Sequence, residues 1–156
     1  MKETFHKEVL TEEQIKLFPL LRKFSKNFYL VGGTAIALHI GHRHSIDFDL
    51  FTSTNINSKK FLERIQRLRF KIDKVYTKTS IELTIIVNSV KMTFYNFPND
   101  VPSPLTFNKI INVPELLDLA AMKAYALGGR GKWKDYVDLY ILLTQYFDLE
   151  KVCSRT

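Results

Sequence analysis

Two aspartates, Asp47 and Asp49, alternate with apolar residues in the run Ser45-Ile46-Asp47-Phe48-Asp49-Leu50. In an extended strand, positions i and i+2 project from the same face, roughly 6–7 Å apart along the chain. Two carboxylates on one face repel each other unless a cation lies between them. A hard ion such as Mg²⁺ suits them, since it takes oxygen ligands and accepts one or two carboxylates together with substrate phosphates. On its own an Asp-x-Asp is more often two solvated acids on the wet face of an edge strand. The pair Gly32-Gly33 upstream changes that balance. Gly-Gly permits positive φ and close approach of backbone N–H groups to a phosphate, and a helix starting there adds a partial positive charge.

Other residues with chemical potential are less specific. Lys123 falls on an otherwise apolar helical pattern with Leu119, Met122 and Ala126, where a lysine commonly lays its stem in the core and snorkels. Asp135 and Asp138 have Arg130, Lys132 and Lys134 close in sequence, the arrangement of weak surface pairs, and Asp138 reads as the structural one of the two. His39, His42 and His44 have a spacing that zinc uses, without an evident fourth ligand. Arg43 among them is the better phosphate contact, being permanently charged and forked. Lys59, Lys60, Arg64, Arg67 and Arg69 form a basic face that is ordinarily solvated and alternatively an RNA track. Phe70, Tyr76, Phe94, Tyr95 and Phe97 are core or sheet-surface residues first and base-stacking residues second.

These residues need a scaffold. Thr11-Glu12-Glu13-Gln14 reads as a capping box opening a helix through Leu17, Leu20, Leu21 and Phe24, kinked or split at Pro19. Phe28 to Val31 reads as a buried strand ending at Gly32, and Thr34 to Ile40 as a short helix. Ser45 to Thr52 follows as a strand whose inner residues Ile46, Phe48 and Leu50 anchor it in the core. Ser58 is the expected cap of a helix running to Leu68. Asn88-Ser89 suggests a hairpin between strands 81–87 and 90–97, and Pro98, Pro102 and Pro104 mark a loop. A short strand over 109–113 leads to Pro114 in the first turn of a helix ending near Gly128-Gly129, and a last helix covers Trp133 to about Phe147. The order implies an α+β fold with a mixed or antiparallel sheet flanked by helices and a helical C-terminal part.

The 156 residues suit one domain over 1–156, with its core sheet at about 28–113 and C-terminal helices at about 114–148. No apolar run is long enough to span a membrane, and the segment from Met1 to His6 lacks the apolar core of a signal peptide. The single cysteine, Cys153, allows no intrachain disulfide and fits a reducing cytoplasm. A net charge of +7 is compatible with RNA or a triphosphate as partner without requiring either.

The stretch Tyr29-Leu30-Val31-Gly32-Gly33-Thr34-Ala35-Ile36-Ala37-Leu38-His39, continued by Gly41-His42-Arg43-His44-Ser45-Ile46-Asp47-Phe48-Asp49-Leu50-Phe51, resembles the signature of the DNA polymerase β-type nucleotidyltransferase superfamily. Its Gly-His-Arg-x-Ser form is similar to the AbiEii/AbiGii-toxin-like branch. Leu117 to Ala124 is similar to that branch's lysine motif, and Gly129 to Tyr140 to its Arg-Gly…Lys-Asp-x-x-Asp-Leu-Tyr motif, so the resemblance runs from about Tyr29 to Leu143. It implies the nucleotidyltransferase fold and transfer of a nucleoside monophosphate from an NTP to an acceptor hydroxyl. It also implies a toxin-like role in toxin–antitoxin or phage-defence systems, an RNA or tRNA acceptor and a cognate antitoxin. Carried over by position, Asp47 and Asp49 would hold Mg²⁺ (or Mn²⁺), and Lys123 would contact the triphosphate. Asp135 would act as base or positioning group, and Gly32, Gly33, Thr34, Arg43 and Ser45 would line the phosphate side. One departure stands out: many relatives carry a third carboxylate on a later strand, whereas Val90 to Tyr95 holds no acid. Thr93 occupies the expected place, with Glu82 on the partner strand the nearest alternative. A catalytically silent module that binds a nucleotide or a protein is therefore the competing expectation.

Overall fold

The computed structural model describes residues 4–156; Met1 to Glu3, which enter the signal-peptide reading above, lie outside the described residues. The capping box forms: Thr11 Oγ1 accepts the Gln14 N–H at 3.2 Å and Gln14 Oε1 accepts the Thr11 N–H at 2.9 Å. It starts α1 (Glu12–Lys16), and Pro19 splits the apolar pattern by falling in the first turn of α2 (Phe18–Phe24), where its missing N–H has no intrahelical role. β1 (Tyr29–Val31) runs directly into α3 (Gly32–Ile40), which ends on Gly41 in the left-handed region. β2 (Phe48–Thr52) and α4 (Ser58–Arg67) follow.

Next come β3 (Ile72–Lys78), β4 (Glu82–Val87) and β5 (Val90–Asn96). Asn88 and Ser89, both at positive φ, form the tight turn between the last two. A second such turn, Asn108-Lys109, joins β6 (Leu105–Phe107) to β7 (Ile111–Val113). Three helices close the chain: α5 (Leu116–Gly129), α6 (Trp133–Gln145) and α7 (Leu149–Arg155).

Among the described residues the strands form one mixed sheet in the order β3-β4-β5-β2-β1-β7-β6, with β2–β5 and β1–β7 parallel and the other pairs antiparallel. One face is apolar: Phe48, Leu50, Leu83, Ile85, Met92 and Phe94 are buried, and Phe94 packs against Phe24, Phe28 and Phe61 at centroid distances of 5.3–5.6 Å. Truncating such a ring costs about 3–5 kcal/mol. The opposite face carries Asp49, Thr93 and Thr84 in one register row and Phe51, Tyr95 and Glu82 in the next. The hydrophobic alternation thus turns the carboxylate face toward the site.

Several expectations are corrected. Ile46 precedes β2 and is 53% exposed, so Phe48 and Leu50 alone anchor that strand. Asn57, not Ser58, caps α4, accepting the Lys60 N–H at 3.1 Å, while the Ser58 hydroxyl donates to the Thr79 carbonyl. Pro114 lies outside α5, whose N-cap is Glu115. Lys109 belongs to a turn, β6 lies where the prolines suggest a loop, and α7 follows a helix ending two residues earlier than expected.

Candidate active site

Asp47 sits just before β2 and Asp49 within it, level with Val31 on β1. The glycines following Val31 make room for side chains. Gly32 has φ of 74°, and a Cβ there would lie 2.5 Å from Asp49 Oδ2; a Cβ on Gly33 would collide with the Arg43 guanidinium. Gly-Gly is thus required by the neighbouring side chains as well as by any approaching phosphate.

Asp47 is positioned through its backbone. Its carbonyl accepts from the Thr34 hydroxyl and from Gln14 Nε2 at 3.3 Å, and Thr34 Oγ1 lies 2.6 Å from Ser45 Oγ. Thr34 and Ser45, grouped in the sequence with phosphate-binding residues, are buried and brace the Asp47 loop. Gln14 is a positioning residue that the sequence shows only as half of a capping box; its burial is what reveals the second task.

A second pair of aspartates lies behind the first. Asp135 and Asp138 of α6 are buried rather than paired along the surface as expected. Lys123, equally buried on α5, donates to Asp135 Oδ1 at 2.8 Å and lies 3.2 Å from Asp138 Oδ2. Arg43 forks onto Asp138, with Nε 2.7 Å from Oδ1 and Nη2 2.8 Å from Oδ2, while Nη1 donates to the His44 carbonyl. His42 Nε2 completes the set at 2.6 Å from Asp138 Oδ1. Among the described residues Arg130 alone of the sequence-adjacent cations reaches an acid, 3.5 Å from Asp135 Oδ2. Arg43, expected as a phosphate contact, is therefore committed through all three nitrogens to protein acceptors, although it still borders the cleft.

The two pairs differ electrostatically. Burial alone would raise the Asp138 carboxyl, but hydrogen bonds from Arg43 and His42 and the charges of Lys123 and Arg43 hold it well below the usual carboxylate range. Asp49 is pushed up, first by burial and then by the charge of Asp47, with Arg130, Lys123 and Lys91 opposing too weakly to cancel the rise. A carboxyl disfavoured as an anion by its own neighbour is what a divalent cation would relieve. Among the described residues no group of three or more His, Cys, Asp or Glu side chains can hold a metal, so a cation on Asp47 and Asp49 needs water or phosphate oxygens. The histidines diverge: His39 Nε2 lies 2.9 Å from the Pro114 carbonyl, His42 turns to Asp138 and His44 to the Val9 carbonyl.

All nine site residues singled out in the sequence line one cleft of about 920 Å³. Its floor is the polar sheet face with Phe51, Tyr95, Thr93 and Thr84, and its wall is α5 with Met122, Lys123 and Tyr125. Arg130, Lys132 and Lys134 form the rim. Thr93 pairs in register with Asp49, so a hydroxyl stands where a third carboxylate would be. Glu82 lies one strand and one row further, accepting the Thr84 hydroxyl at 2.8 Å.

Other proteins are similar to this chain in fold and in sequence. JHP933 from Helicobacter pylori superposes with a TM-score of 0.65 at 21% identity, over 94% of this chain and 73% of that one. The Megavirus polyadenylate synthase superposes at 0.61 and 15% identity (86% and 32% of the chains). MenT4, a nucleotidyltransferase toxin from Mycobacterium tuberculosis H37Rv, superposes at 0.58 and 17% identity (90% and 60%). These likenesses establish the nucleotidyltransferase fold. An uncharacterized protein of Aquifex aeolicus (strain VF5) is 30% identical over 134 residues, 81% of this chain; the chain spans 63% of that relative's length. The family model described as nucleotidyl transferase AbiEii toxin, type IV toxin–antitoxin system, matches residues 19–85 and 64–155, which takes in both aspartate pairs, the Gly-Gly turn and Lys123. With fold, motif order and family match in agreement, the chain belongs to the AbiEii nucleotidyltransferase toxin family.

Proposed function

We propose that the protein is a divalent-metal-dependent nucleotidyltransferase that moves a nucleoside monophosphate from an NTP to an RNA hydroxyl, with tRNA the first acceptor to test. The observation that carries this is the half-buried Asp47–Asp49 pair, left without a compensating base at the end of a cleft rimmed by cations. Mg²⁺ or Mn²⁺ on these carboxylates would neutralise charge on the phosphates and the attacking oxygen. The acceptor oxygen attacks the α-phosphorus as the bond to the bridging oxygen breaks, and pyrophosphate departs.

The chain's own contribution is positioning and charge. The N-terminus of α3 at Gly32 and Gly33 offers N–H groups to the phosphates. Lys123 has one ammonium proton left beyond its two aspartates, and Arg130, Lys132 and Lys134 supply further positive charge. Asp135 holds Lys123 in place, which makes it a positioning residue. The family supports a cognate antitoxin as partner, and the lone thiol of Cys153 suits the cytoplasm. Residues 1–156 act as one domain in this reading.

Thr93 favours a second reading, a silent module that binds nucleotide without turning it over, because two carboxylates hold a metal more weakly than three. Incubation with each α-labelled NTP, Mg²⁺ and total tRNA separates them. Transfer of label to RNA, absent in Asp49→Asn, supports the transferase; Mg²⁺-dependent nucleotide binding without transfer supports the silent module.

A further inference from the structure

Folding places large aromatic side chains inside, yet one surface of this protein collects them outside. Trp133, Tyr136 and Tyr140 of α6 are 79%, 53% and 70% exposed, and their spacing of three and four residues puts them on one face of the helix. The stripe is roughly 10 Å long at 1.5 Å per residue. Tyr125, 64% exposed, extends the aromatic surface to the wall of the cleft.

The exposed charges of the α5–α6 segment all have one sign. Between Leu119 and Phe147 the acids are Asp135 and Asp138, both buried against Lys123 and Arg43, so the exposed charges of this segment are Arg130, Lys132 and Lys134. These same cations form the rim of the cleft that holds Asp47 and Asp49. Aromatic faces interleaved with cations bind single-stranded nucleic acid, where bases stack and phosphates meet the cations. A duplex hides its base faces and gains only the phosphate contacts.

We infer that the α5–α6 lip is a stacking platform for single-stranded RNA, leading the 3′ end of the acceptor over Trp133 and Tyr125 into the cleft. The direction of the strand rests on the transferase reading; the binding itself does not.

Trp133 is the one tryptophan of the chain, so its emission reports on the platform directly. The probe is a mixed-sequence single-stranded RNA with a free 3′ hydroxyl, added in EDTA without NTP and compared with the same RNA annealed to its complement. The single strand should quench Trp133, and the duplex should not. By anisotropy of the labelled RNA, Trp133→Ala should weaken binding about tenfold, with Trp133→Phe restoring most of it. Lys132→Gln with Lys134→Gln should lower the slope of log affinity against log salt by about 1.4.

Equal binding of strand and duplex, or Trp133→Ala protein that binds RNA as tightly as wild type, overturns the inference. So does a Trp133-dependent dimer in light scattering with no RNA quenching, which would make the stripe a contact between copies. The wild-type protein separates the two readings. Trp133-dependent RNA binding with no NMP transfer from any NTP keeps the platform and removes the transferase; wild-type transfer that persists in Trp133→Ala with unchanged RNA affinity does the reverse.

Discussion

Asp47 and Asp49 on the strand side, and Asp135 and Asp138 on α6, are the same residue type at short spacing, and their surroundings make them opposites. The helix pair is enclosed by Lys123, Arg43 and His42, and every oxygen but Asp135 Oδ2 has a close donor. The strand pair faces a cleft, and the carboxyl of Asp49 is raised by burial and by Asp47. Compensated acids lock helices α5 and α6 to the loop between α3 and β2, while uncompensated acids store a demand for a cation. Partners, more than residue identity, set the two pairs apart.

Breaking the helix pair should have the largest effect on folding. Asp138→Ala leaves buried Lys123 and half-buried Arg43 without their shared acceptor, and removing one partner of a buried ion pair costs about 3–5 kcal/mol. A fall in thermal midpoint of about 6–20 °C is the check. The same residue sets an acid limb. Its folded-state pKa lies below the unfolded value of about 3.9, so its contribution is complete above that pH and is lost as pH falls through the folded value. Thermal midpoints of Asp138→Ala should therefore decline less steeply than wild type below about pH 4.

Breaking the strand pair should reverse the pattern, costing activity and not stability. Asp49→Asn removes a desolvated charge next to Asp47, so its midpoint should not fall. Its NMP transfer should drop by about 10³-fold if a metal contributes several kcal/mol of charge stabilisation. Gly32→Ala sharpens the comparison from the backbone side. At φ of 74° it costs about 1–2 kcal/mol, and its Cβ displaces Asp49, so stability and divalent-ion affinity should fall together. An effect of similar size is expected from Thr34→Val, which leaves the buried Ser45 hydroxyl and the Asp47 carbonyl each short of one partner at about 1–3 kcal/mol. Circular dichroism melts with and without Mn²⁺ would place both.

Local signals made much of this legible in the sequence. The capping box, the split at Pro19, the Gly-Gly turn and the Asn88-Ser89 hairpin each follow from one or two residues and their neighbours. Asp49 was legible because strand alternation fixes its face, whereas Asp47, one residue before β2, is held at the same cleft by the Thr34 and Gln14 hydrogen bonds to its carbonyl. The helix clamp was not, because Arg43 and Asp138 lie 95 residues apart and only the closing of α6 against the α3–β2 loop joins them. Sequence distance favoured pairing with Lys132 and Lys134, and burial overrode it. Ile46 misled for a related reason: alternation predicts its direction only where a strand exists, and β2 starts two residues later. β6 and α7 escaped notice because three residues beside Pro104, and seven with Val152 alone buried, carry too little pattern.

The most direct test of the contrast between the two pairs is Mn²⁺ binding followed by electron paramagnetic resonance, with and without NTP, in wild type, Asp49→Asn and Asp138→Asn. Each protein is held below its own melting temperature. The account predicts that wild type binds Mn²⁺ and binds it more tightly with NTP, that Asp49→Asn loses this binding while fully folded, and that folded Asp138→Asn retains it. Wild-type Mn²⁺ affinity in Asp49→Asn would contradict the assignment of the metal to the strand pair.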